Sequence, residues 1–479
     1  MVTYRRVPQY LMSSRVQYDL GDMSGLDLAR QKMTEAGVAP EAIEVFSHYY
    51  AQLESGATGL IPEDTISPLT DPDRLADVEI SDADQQAALA RTVIIKLNGG
   101  LGTSMGMEKA KSLLPVRGER TFLDLIVSQV LAARRAYGVD LPLLFMNSFR
   151  TRDDTLAALQ PYGDLAVDKL PLDFLQNREP KLLASDLTPV EWPADPGLEW
   201  CPPGHGDLYT ALLASGVLKA LLDAGYRYAS VSNSDNLGAA PNAAIAGWFA
   251  ASGAPYAAEL CRRTKADLKG GHLAVRKSDG RLILRDTAQT PPDEMDYFTD
   301  QDRHPFFHTN NLWFDLRVLH RTLLDRKGVL GLPLIKNIKT VDPTDSSTPE
   351  VIQVESAMGA AIEVFDGATA IVVERDRFLP VKTTNDLLLL RSDSYTVEDD
   401  GTVVKAAVTT PLIDLDSRYF KKIADFDAHF PSGPPSLVNA ESLTVKGDWT
   451  FGADVRVEGA ARLDDDGRPH TIPDGSVLS

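Results

Sequence analysis

Apolar residues recur at helical spacing in the N-terminal part of the chain, between residues 23 and 53. The positions that carry this pattern are Leu26, Ala29, Met33, Ala36, Ile43, Phe46 and Tyr50. The stretch 61–77 contains three prolines and four aspartates, which is typical of an exposed connection. The pattern therefore predicts a helical N-terminal segment over residues 1–90.

The pattern changes at Thr92 to a short β-branched run, TVIIKL, which ends in glycines. A helix predicted over 121–137 and a second apolar run at 141–147 complete a strand, loop, helix and strand unit. Further strand candidates are 228–233, 256–260, 282–284, 312–314 and 370–373. The alternation of strands and helices predicts an α/β fold with a largely parallel sheet covered by helices.

The last forty residues have a six-residue period. One series is Leu437, Leu443, Trp449, Val455 and Ala461, and a second is Val445, Phe451, Val457 and Leu463. A hexad repeat with interspersed glycines favours a short parallel β-helix, in which each coil stacks like residues on the next. An antiparallel meander is the alternative.

The length of 479 residues predicts two or three domains, and 43% hydrophobic with 24% charged residues is typical of a globular protein. The formal charge of −20 argues against nucleic-acid binding, so any phosphate site must be a local cationic pocket. Only Cys201 and Cys261 occur, which excludes a disulfide framework. Neither a membrane-spanning run nor a signal-peptide core is present, and a cytoplasmic location is expected.

The glycine-rich segment 96–112, KLNGGLGTSMGMEKAKS, follows the first strand. Four glycines within eight residues allow backbone amides to approach an anion, and the lysines downstream can neutralise it. The segment matches neither GxxxxGK[ST] nor GxGxxG. It is interpreted as a phosphate-binding loop of another kind, with a purely structural turn as the alternative.

Two further segments carry candidate chemistry. The turn CPPGHGD, at 201–207, presents His205 between two glycines, where it can contact a phosphate or simply satisfy backbone groups. The segment VSNSDNLG, at 231–238, places Asp235 at the end of an apolar strand. That is where open α/β sheets bind ligands, and one carboxylate with substrate phosphates is sufficient to hold Mg²⁺. A helix-capping aspartate is the alternative.

Several long motifs in a fixed order resemble the eukaryotic-type UTP glucose-1-phosphate uridylyltransferases, also called UDP-glucose pyrophosphorylases. The motifs are KLNGGLGTSMG, LLFMNSF, PPGHGDLY, SNSDNLGA, TKADLKGG, HTNNLW, FLPVKTT and TVKGDWTFG. The resemblance implies a Rossmann-like nucleotidyltransferase domain over 91–385 and a C-terminal domain over 386–479 with a left-handed parallel β-helix. It implies the reaction of UTP with glucose 1-phosphate to give UDP-glucose and pyrophosphate, and self-association through the β-helix.

The resemblance also implies residue roles. The residues implied for UTP binding are Leu97, Asn98, Gly99, Gly100, Lys111, Gln176, Gly204 and Lys382. Those implied for the sugar phosphate and its pocket are His205, Asn233, Ser234, Asp235, Asp286, Asn310, Asn311 and Glu355. Lys382 and Lys111 are the implied catalytic residues, and Asp235 is the implied Mg²⁺ ligand.

Two positions depart from the family pattern. Glu108 stands where the family commonly has the first lysine of K-G-P-K, and Lys109 is the candidate to supply that charge. Asp286 stands where the family usually has a glutamate near the sugar, so a wider pocket that also accepts galactose 1-phosphate is expected. The alternative function is a nucleotide-sugar sensor on the same fold that has lost turnover.

Overall fold

The computed structural model describes residues 23–264, 267, 268 and 270–479. The first 22 residues of the predicted helical segment, and residues 265, 266 and 269 of the TKADLKGG motif, lie outside the described residues. In the part of the chain that is described, no helix is long and apolar enough to cross a membrane.

The α-helices lie on both sides of a central sheet. They are α1 Gly25–Glu35, α2 Pro40–Glu54, α3 Asp82–Leu89, α4 Phe122–Tyr137, α5 Arg152–Leu159, α6 Leu208–Ala214, α7 Val217–Asp223, α8 Ala243–Ser252, α9 Met295–Thr299, α10 Leu316–Asp325, α11 Thr384–Arg391, α12 Ser417–Phe420 and α13 Ile423–His429. The predicted N-terminal periodicity thus forms two helices, separated where Pro40 begins α2.

The central sheet has eight strands. They are β1 Asp73–Arg74, β2 Thr92–Asn98, β3 Leu143–Asn147, β4 Asp173–Leu175, β5 Tyr228–Asn233, β6 Tyr256–Arg262, β7 Phe306–Asp315 and β8 Thr369–Val372. Their spatial order is β1-β8-β6-β7-β5-β2-β3-β4. Every pairing is parallel except those of β7, which runs antiparallel to β5 and β6. The predicted largely parallel sheet is therefore confirmed.

Smaller sheets flank the central one. Their strands are Ile66–Pro68, Pro115–Arg117, Arg120–Thr121, Glu179–Pro180, Leu182–Leu183, Trp200–Cys201, His272–Arg276, Leu282–Arg285, Ile335–Thr340, Glu350–Glu355, Tyr395–Val397 and Val403–Lys405. The candidate strand at 282–284 belongs to one of these, a three-stranded sheet with Ile66–Pro68 and His272–Arg276.

Strand alternation divides the apolar core between the two faces of the central sheet. Ile94 of β2 joins the cluster that includes α4 and α8, whereas its neighbours Val93 and Ile95 join the cluster that includes α2 and α10. Successive side chains of a strand point to opposite faces, so a strand covered on both sides must be apolar throughout. This explains why the central strands are continuous apolar runs in the sequence.

The C-terminal strands pair only in parallel. They are β9 Leu412–Leu415, β10 Ala440–Val445, β11 Trp449–Phe451, β12 Arg456–Val457, β13 Gly459–Leu463, β14 His470–Ile472 and β15 Val477–Leu478. They form the ladders β9-β10-β13, β11-β14 and β12-β15. Leu443 pairs with Ala461 and Val445 with Leu463, so members of the same hexad series stack on each other. The antiparallel alternative does not hold for these strands.

The limits at residues 90 and 385 remain predictions of the sequence. Within the predicted N-terminal segment, β1 pairs with β8 at the edge of the central sheet, and α3 packs against α8. The hydrophobic cluster that includes α4 continues into Leu443 and Phe451 of the C-terminal ladders. The N-terminal segment therefore adds a strand to the central sheet, and the C-terminal ladders share a hydrophobic cluster with α4.

Candidate active site

A cleft of about 320 Å³ opens at the carboxyl ends of β2, β3 and β5. β2 is flanked by β3 on one side and by β5 on the other. The strands that follow β2 in the chain are therefore added first on one side of it and later on the other. Such a switch point is where open α/β sheets bind ligands. Most of the predicted site residues line the cleft, namely Leu97, Gly99, Gly100, Lys111, Gln176, Gly204, His205, Asn233, Ser234 and Asp235. Met146 and Pro202 line it as well.

The glycine-rich loop folds back on itself so that Lys111 returns to the cleft. Gly102 and Gly106 have positive φ angles of 66° and 73°, which side chains rarely adopt. The Lys111 amide donates a hydrogen bond to the Gly100 carbonyl at 3.0 Å and closes the loop. At Gly99 a Cβ atom would lie 2.8 Å from Gln176 Oε1, so a larger residue there would displace the Gln176 side chain. The loop needs glycine for its turns and for its proximity to the cleft wall.

Lys111 and Asp235 form an ion pair at the floor of the cleft. Lys111 Nζ lies 2.6 Å from Asp235 Oδ2, and the two side chains are 15% and 18% exposed. Lys111 also donates to the Val381 carbonyl. Asp235 Oδ1 is buried and has no hydrogen-bond partner among the described residues. A desolvated carboxylate oxygen without a donor is suited to a cation, and carboxylate oxygen is the ligand type that Mg²⁺ prefers.

The turn that contains His205 is fixed by backbone contacts with 356–358. Gly204 has a φ of 77°, and a Cβ atom there would lie 2.6 Å from the Ser356 carbonyl oxygen. His205 Nδ1 accepts a hydrogen bond from the Met358 amide at 2.9 Å, and burial lowers the pKa of His205 to about 4. The ring is therefore neutral near pH 7, with its proton on Nε2, where it is available as a donor.

Gln176 connects the same turn to the sheet. Its Nε2 donates to the Gly204 carbonyl at 3.0 Å, and its backbone amide donates to the Asn147 carbonyl at 2.8 Å. The part of the cleft wall at Gln176 is therefore held by main-chain groups of β3 and of the 202–206 turn.

Two predicted site residues face the interior instead of the cleft. Asn98 donates to Asn147 Oδ1 at 2.8 Å and to Thr155 Oγ1 at 2.9 Å, and it accepts from Ser234 Oγ at 3.1 Å. Asn311 donates to Glu259 Oε2 at 3.1 Å and is 2% exposed. Both side chains brace neighbouring elements in this structure.

Four other predicted residues do not line the cleft. Glu355 ends the strand Glu350–Glu355 beside Gly204. Burial raises the pKa of Asp286, and the charge of Lys382 opposes that rise. Lys382 is exposed. Asn310 has a φ of 61° and its amide donates to His308 Nδ1 at 3.0 Å.

A set of buried charges beneath the cleft was missed by the sequence reasoning. Lys96 is 1% exposed, and burial, reinforced by Arg377, lowers its pKa to about 7. Arg377 pairs with Glu259 at 2.8 Å, and Glu259 also accepts from Trp313 Nε1 at 2.9 Å. The sequence did contain a signal for these charges, namely the lysine inside the apolar run TVIIKL. Lysine is rarely buried unless it is paired, so a lysine in a buried strand indicates polar partners nearby.

Residues 43–458 match the family model described as UTP--glucose-1-phosphate uridylyltransferase. The chain belongs to this family. It is 40% identical to the UTP--glucose-1-phosphate uridylyltransferase of Solanum tuberosum over 413 residues, which is 85% of this chain and 84% of that protein. It is 38% identical to that of Saccharomyces cerevisiae over 466 residues, 96% and 91% of the two chains.

Solved structures agree with this family assignment. A single-residue variant of the UDP-glucose pyrophosphorylase from Leishmania major, in complex with UDP-glucose, superposes with a TM-score of 0.89 at 41% identity. The alignment covers 95% of this chain and 98% of that chain. The UDP-glucose phosphorylase from Trypanosoma brucei gives a TM-score of 0.88 at 42% identity, with the same coverage. The uridylyltransferase resemblance stated from the motifs is confirmed.

Proposed function

We propose that this chain transfers the uridylyl group of UTP to glucose 1-phosphate, releasing pyrophosphate and forming UDP-glucose. The observation that carries the proposal is the cleft at the switch point of a uridylyltransferase-family sheet, with the Lys111–Asp235 pair at its floor. In the reaction, a phosphate oxygen of the sugar 1-phosphate attacks the α-phosphorus of UTP. The bond from that phosphorus to the oxygen bridging to the β-phosphorus breaks, and pyrophosphate leaves.

The residues of the cleft suit a reaction that depends on alignment and charge neutralisation. Both reactants are polyanions whose oxygens are already deprotonated, so no strong general base is required. Among the described residues that line the cleft, Lys111 is the ammonium group and His205 is a neutral donor. Lys111 and the exposed Lys382 are proposed as the electrostatic catalysts, acting on charge that develops on the phosphates.

For the nucleotide we propose that Leu97, Gly99 and Gly100 bind the uracil and ribose, with Gln176 and Gly204 reading the base. The close approach of Gly99 to Gln176 supports a narrow, flat slot at this end of the cleft. His205, with Asn233 and Ser234, is proposed for the sugar phosphate. These residues line the same cleft as Lys111, which places the sugar phosphate beside the phosphates of UTP in the proposal.

For the sugar we propose Asp286, Asn310 and Glu355 as pocket residues. Asn98 and Asn311 are proposed to act by positioning other groups, because their side-chain amides are engaged with buried partners. Asp286 is one methylene shorter than glutamate, which supports acceptance of galactose 1-phosphate beside glucose 1-phosphate.

Asp235 is proposed as the protein ligand of a Mg²⁺ ion. The residues present fit the ion, because Asp235 Oδ1 is a buried carboxylate oxygen with no donor in the described chain. When bound, the ion supplies neutralisation of phosphate charge. One carboxylate is enough, since Mg²⁺ usually takes its remaining ligands from phosphates and water.

For the C-terminal domain, we propose that the parallel ladders form a left-handed β-helix through which the chain self-associates. The stacking of Leu443 on Ala461 supports a coiled arrangement, and the exposed Leu412 on the outer strand β9 leaves an apolar edge. A cytoplasmic location is proposed from the two buried free thiols, Cys201 and Cys261.

The test is pyrophosphate release from UTP and Mg²⁺ with glucose 1-phosphate, galactose 1-phosphate or N-acetylglucosamine 1-phosphate supplied separately. Release with glucose 1-phosphate is expected, and comparable release with galactose 1-phosphate is expected if Asp286 widens the pocket. No release with any sugar, together with measurable binding of UDP-glucose, would refute catalysis and favour a nucleotide-sugar sensor.

A further inference from the structure

Lys96 lies in the middle of the sheet, directly beneath the segment that carries Asp235. It pairs in register with Ser232 of β5, so the two side chains project to the same face of the sheet. Lys96 Nζ donates to Ser232 Oγ at 2.7 Å and to the Ala239 carbonyl at 2.8 Å. Ser232 comes just before the turn 233–238 and Ala239 just after it, so one ammonium group joins the two ends of that turn.

A lysine at this position is costly for the fold. Its ammonium is removed from water, and desolvation of a buried cation costs several kcal/mol unless partners compensate. The charged groups that face it are Arg377, Glu259 and Asp235, of which one repels it and two attract it. An apolar side chain of similar length would fill the same space between β2 and β5 without that cost. The position of the ammonium, rather than added stability, is what Lys96 contributes.

A second cation holds the far end of the same turn. Arg377 donates to the Gly238 carbonyl at 3.2 Å and to the Ala240 carbonyl at 2.5 Å, while Glu259 fixes its guanidinium. A Cβ atom at Gly238 would lie 2.2 Å from the Asp376 carbonyl oxygen, so the turn is pressed against the 376–378 backbone. The end at Ser232 is joined to the end at Ala239 by Lys96.

We infer that Lys96 is a positioning residue that clamps the two ends of the turn 233–238 and thereby holds the Asp235 carboxylate toward the cleft. The inference rests on the proposed function for its catalytic consequence, but the clamp itself is a property of the turn. Without the clamp, Asp235 keeps its partner Lys111 and Ser234 keeps its hydrogen bonds to Leu97 and Asn98 of β2, but the two ends of the turn are no longer joined to each other. The reactive groups then occupy the productive geometry for a smaller fraction of the time, which lowers turnover more than substrate binding.

The test compares Lys96→Met with Lys181→Met in the full chain. Lys181 is a matched control, because it is also buried, at 4% exposure, and its Nζ donates to a carbonyl, that of Val341, at 2.7 Å. We expect Lys96→Met to lower kcat by about 30-fold with KM for UTP changed by less than about threefold, as lost alignment predicts. Lys181→Met is expected to keep kcat near that of the wild type. A kcat within about threefold of the wild type in folded Lys96→Met would overturn the inference.

Amide hydrogen exchange followed by mass spectrometry gives a readout independent of activity. Peptides covering 232–240 are expected to exchange at least about tenfold faster in Lys96→Met, while the rest of the sheet and the same peptides in Lys181→Met are unchanged. Uniformly faster exchange throughout the sheet would mean general destabilisation and would contradict the clamp. If the wild type releases no pyrophosphate, the proposed function fails, whereas local exchange at 232–240 still tests the clamp.

Ser232→Ala keeps Lys96 and removes only one of its acceptors, so it remains informative if Lys96→Met does not fold. It is expected to accelerate exchange in 232–240 and to lower kcat by several-fold. When Lys96→Met folds, the double variant with Ser232→Ala is expected to be no worse than Lys96→Met alone, because both changes remove the same connection. Additive losses in the double variant would refute action through Ser232.

Discussion

Replacement of Asp235 by asparagine separates the charge of this carboxylate from its shape. In the native cleft, Oδ2 accepts from Lys111 while Oδ1 is buried without a donor among the described residues. Asparagine can still accept from Lys111 through its carbonyl oxygen, and Lys111 keeps its bond to the Val381 carbonyl. The loss of the ion pair is offset by the loss of a desolvated charge, and both terms are about 1–3 kcal/mol. The free energy of unfolding is therefore expected to change by less than about 1 kcal/mol.

The effect of Asp235→Asn on turnover is expected to be much larger. Removing one preorganised electrostatic group at a reacting centre costs about 2.7–4 kcal/mol of transition-state stabilisation, which is about 100- to 1000-fold in kcat. The amide side chain is also a poor ligand for Mg²⁺ in place of a carboxylate. The assay is steady-state pyrophosphate release at saturating UTP and glucose 1-phosphate, with thermal unfolding measured on the same samples. A second readout is Mg²⁺-dependent binding of UTP by calorimetry, which should be lost.

Glu199→Gln is the matched control for Asp235→Asn. Glu199 pairs with Lys32 at 2.5 Å, and these side chains are 14% and 19% exposed, close to the exposures of the pair in the cleft. The control should show a stability change of similar size and no loss of kcat. A kcat for Asp235→Asn within about threefold of the wild type would refute the assignment of Asp235 to the reaction. A large drop in both variants would instead indicate a general effect of breaking a half-buried ion pair.

Three further changes test other parts of the site. Lys382→Ala should lower kcat with little change in KM for UTP, because the proposed contact tightens in the transition state; unchanged turnover in steady-state kinetics would exclude this role. Asp286→Glu should lower the ratio of kcat/KM for galactose 1-phosphate to kcat/KM for glucose 1-phosphate by about 10-fold, because one added methylene in a pocket has an effect of that size. An unaltered ratio would contradict the widened pocket. Burial lowers the pKa of His308 to about 4, below the value of about 6.5 in the unfolded chain. The neutral buried ring therefore contributes fully to the free energy of unfolding above a pH of about 6.5, and this contribution is lost as the pH falls toward 4, because the unfolded chain then binds the proton more readily. The unfolding free energy of the wild type relative to His308→Gln should therefore fall by about 2 kcal/mol between pH 7.5 and 5 in urea titrations, and a pH-independent difference would disprove it.

The sequence predicted those elements whose pattern is local. β5, Tyr228–Asn233, forms at the predicted bounds because a short strand that is largely buried on both faces is flanked by residues of turns and helices. β7, Phe306–Asp315, is longer than the predicted 312–314, because HTNN breaks the apolar run. Its polar side chains are paired within the core, as Asn311 is with Glu259, and such pairing depends on residues distant in sequence.

The same reasoning explains which site residues could be found. The cleft residues Leu97, Gly99, Gly100 and 233–235 lie at or just after the carboxyl ends of β2 and β5. Because the carboxyl ends of parallel strands share one edge of the sheet, their convergence is a consequence of topology. The inward orientation of Asn98 could not be predicted, because whether a side chain faces the cleft or the interior depends on partners such as Thr155 of α5.

The buried charges beneath the cleft give the site its rigidity at the expense of stability. Glu259 is fully buried, and its oxygens accept from Arg377, Trp313 and Asn311. Replacing a buried ion pair with apolar residues is often neutral or stabilising, so the free energy of folding does not require this arrangement. The pair orients the Arg377 guanidinium, because the Glu259 carboxylate has all its hydrogen-bond partners and accepts from Arg377. Arg377 in turn donates to the Gly238 and Ala240 carbonyls, where the turn that carries Asp235 ends. Arg377 thus holds the turn from the buried side, while Asp235 Oδ2 is paired with Lys111 and Oδ1 has no donor among the described residues.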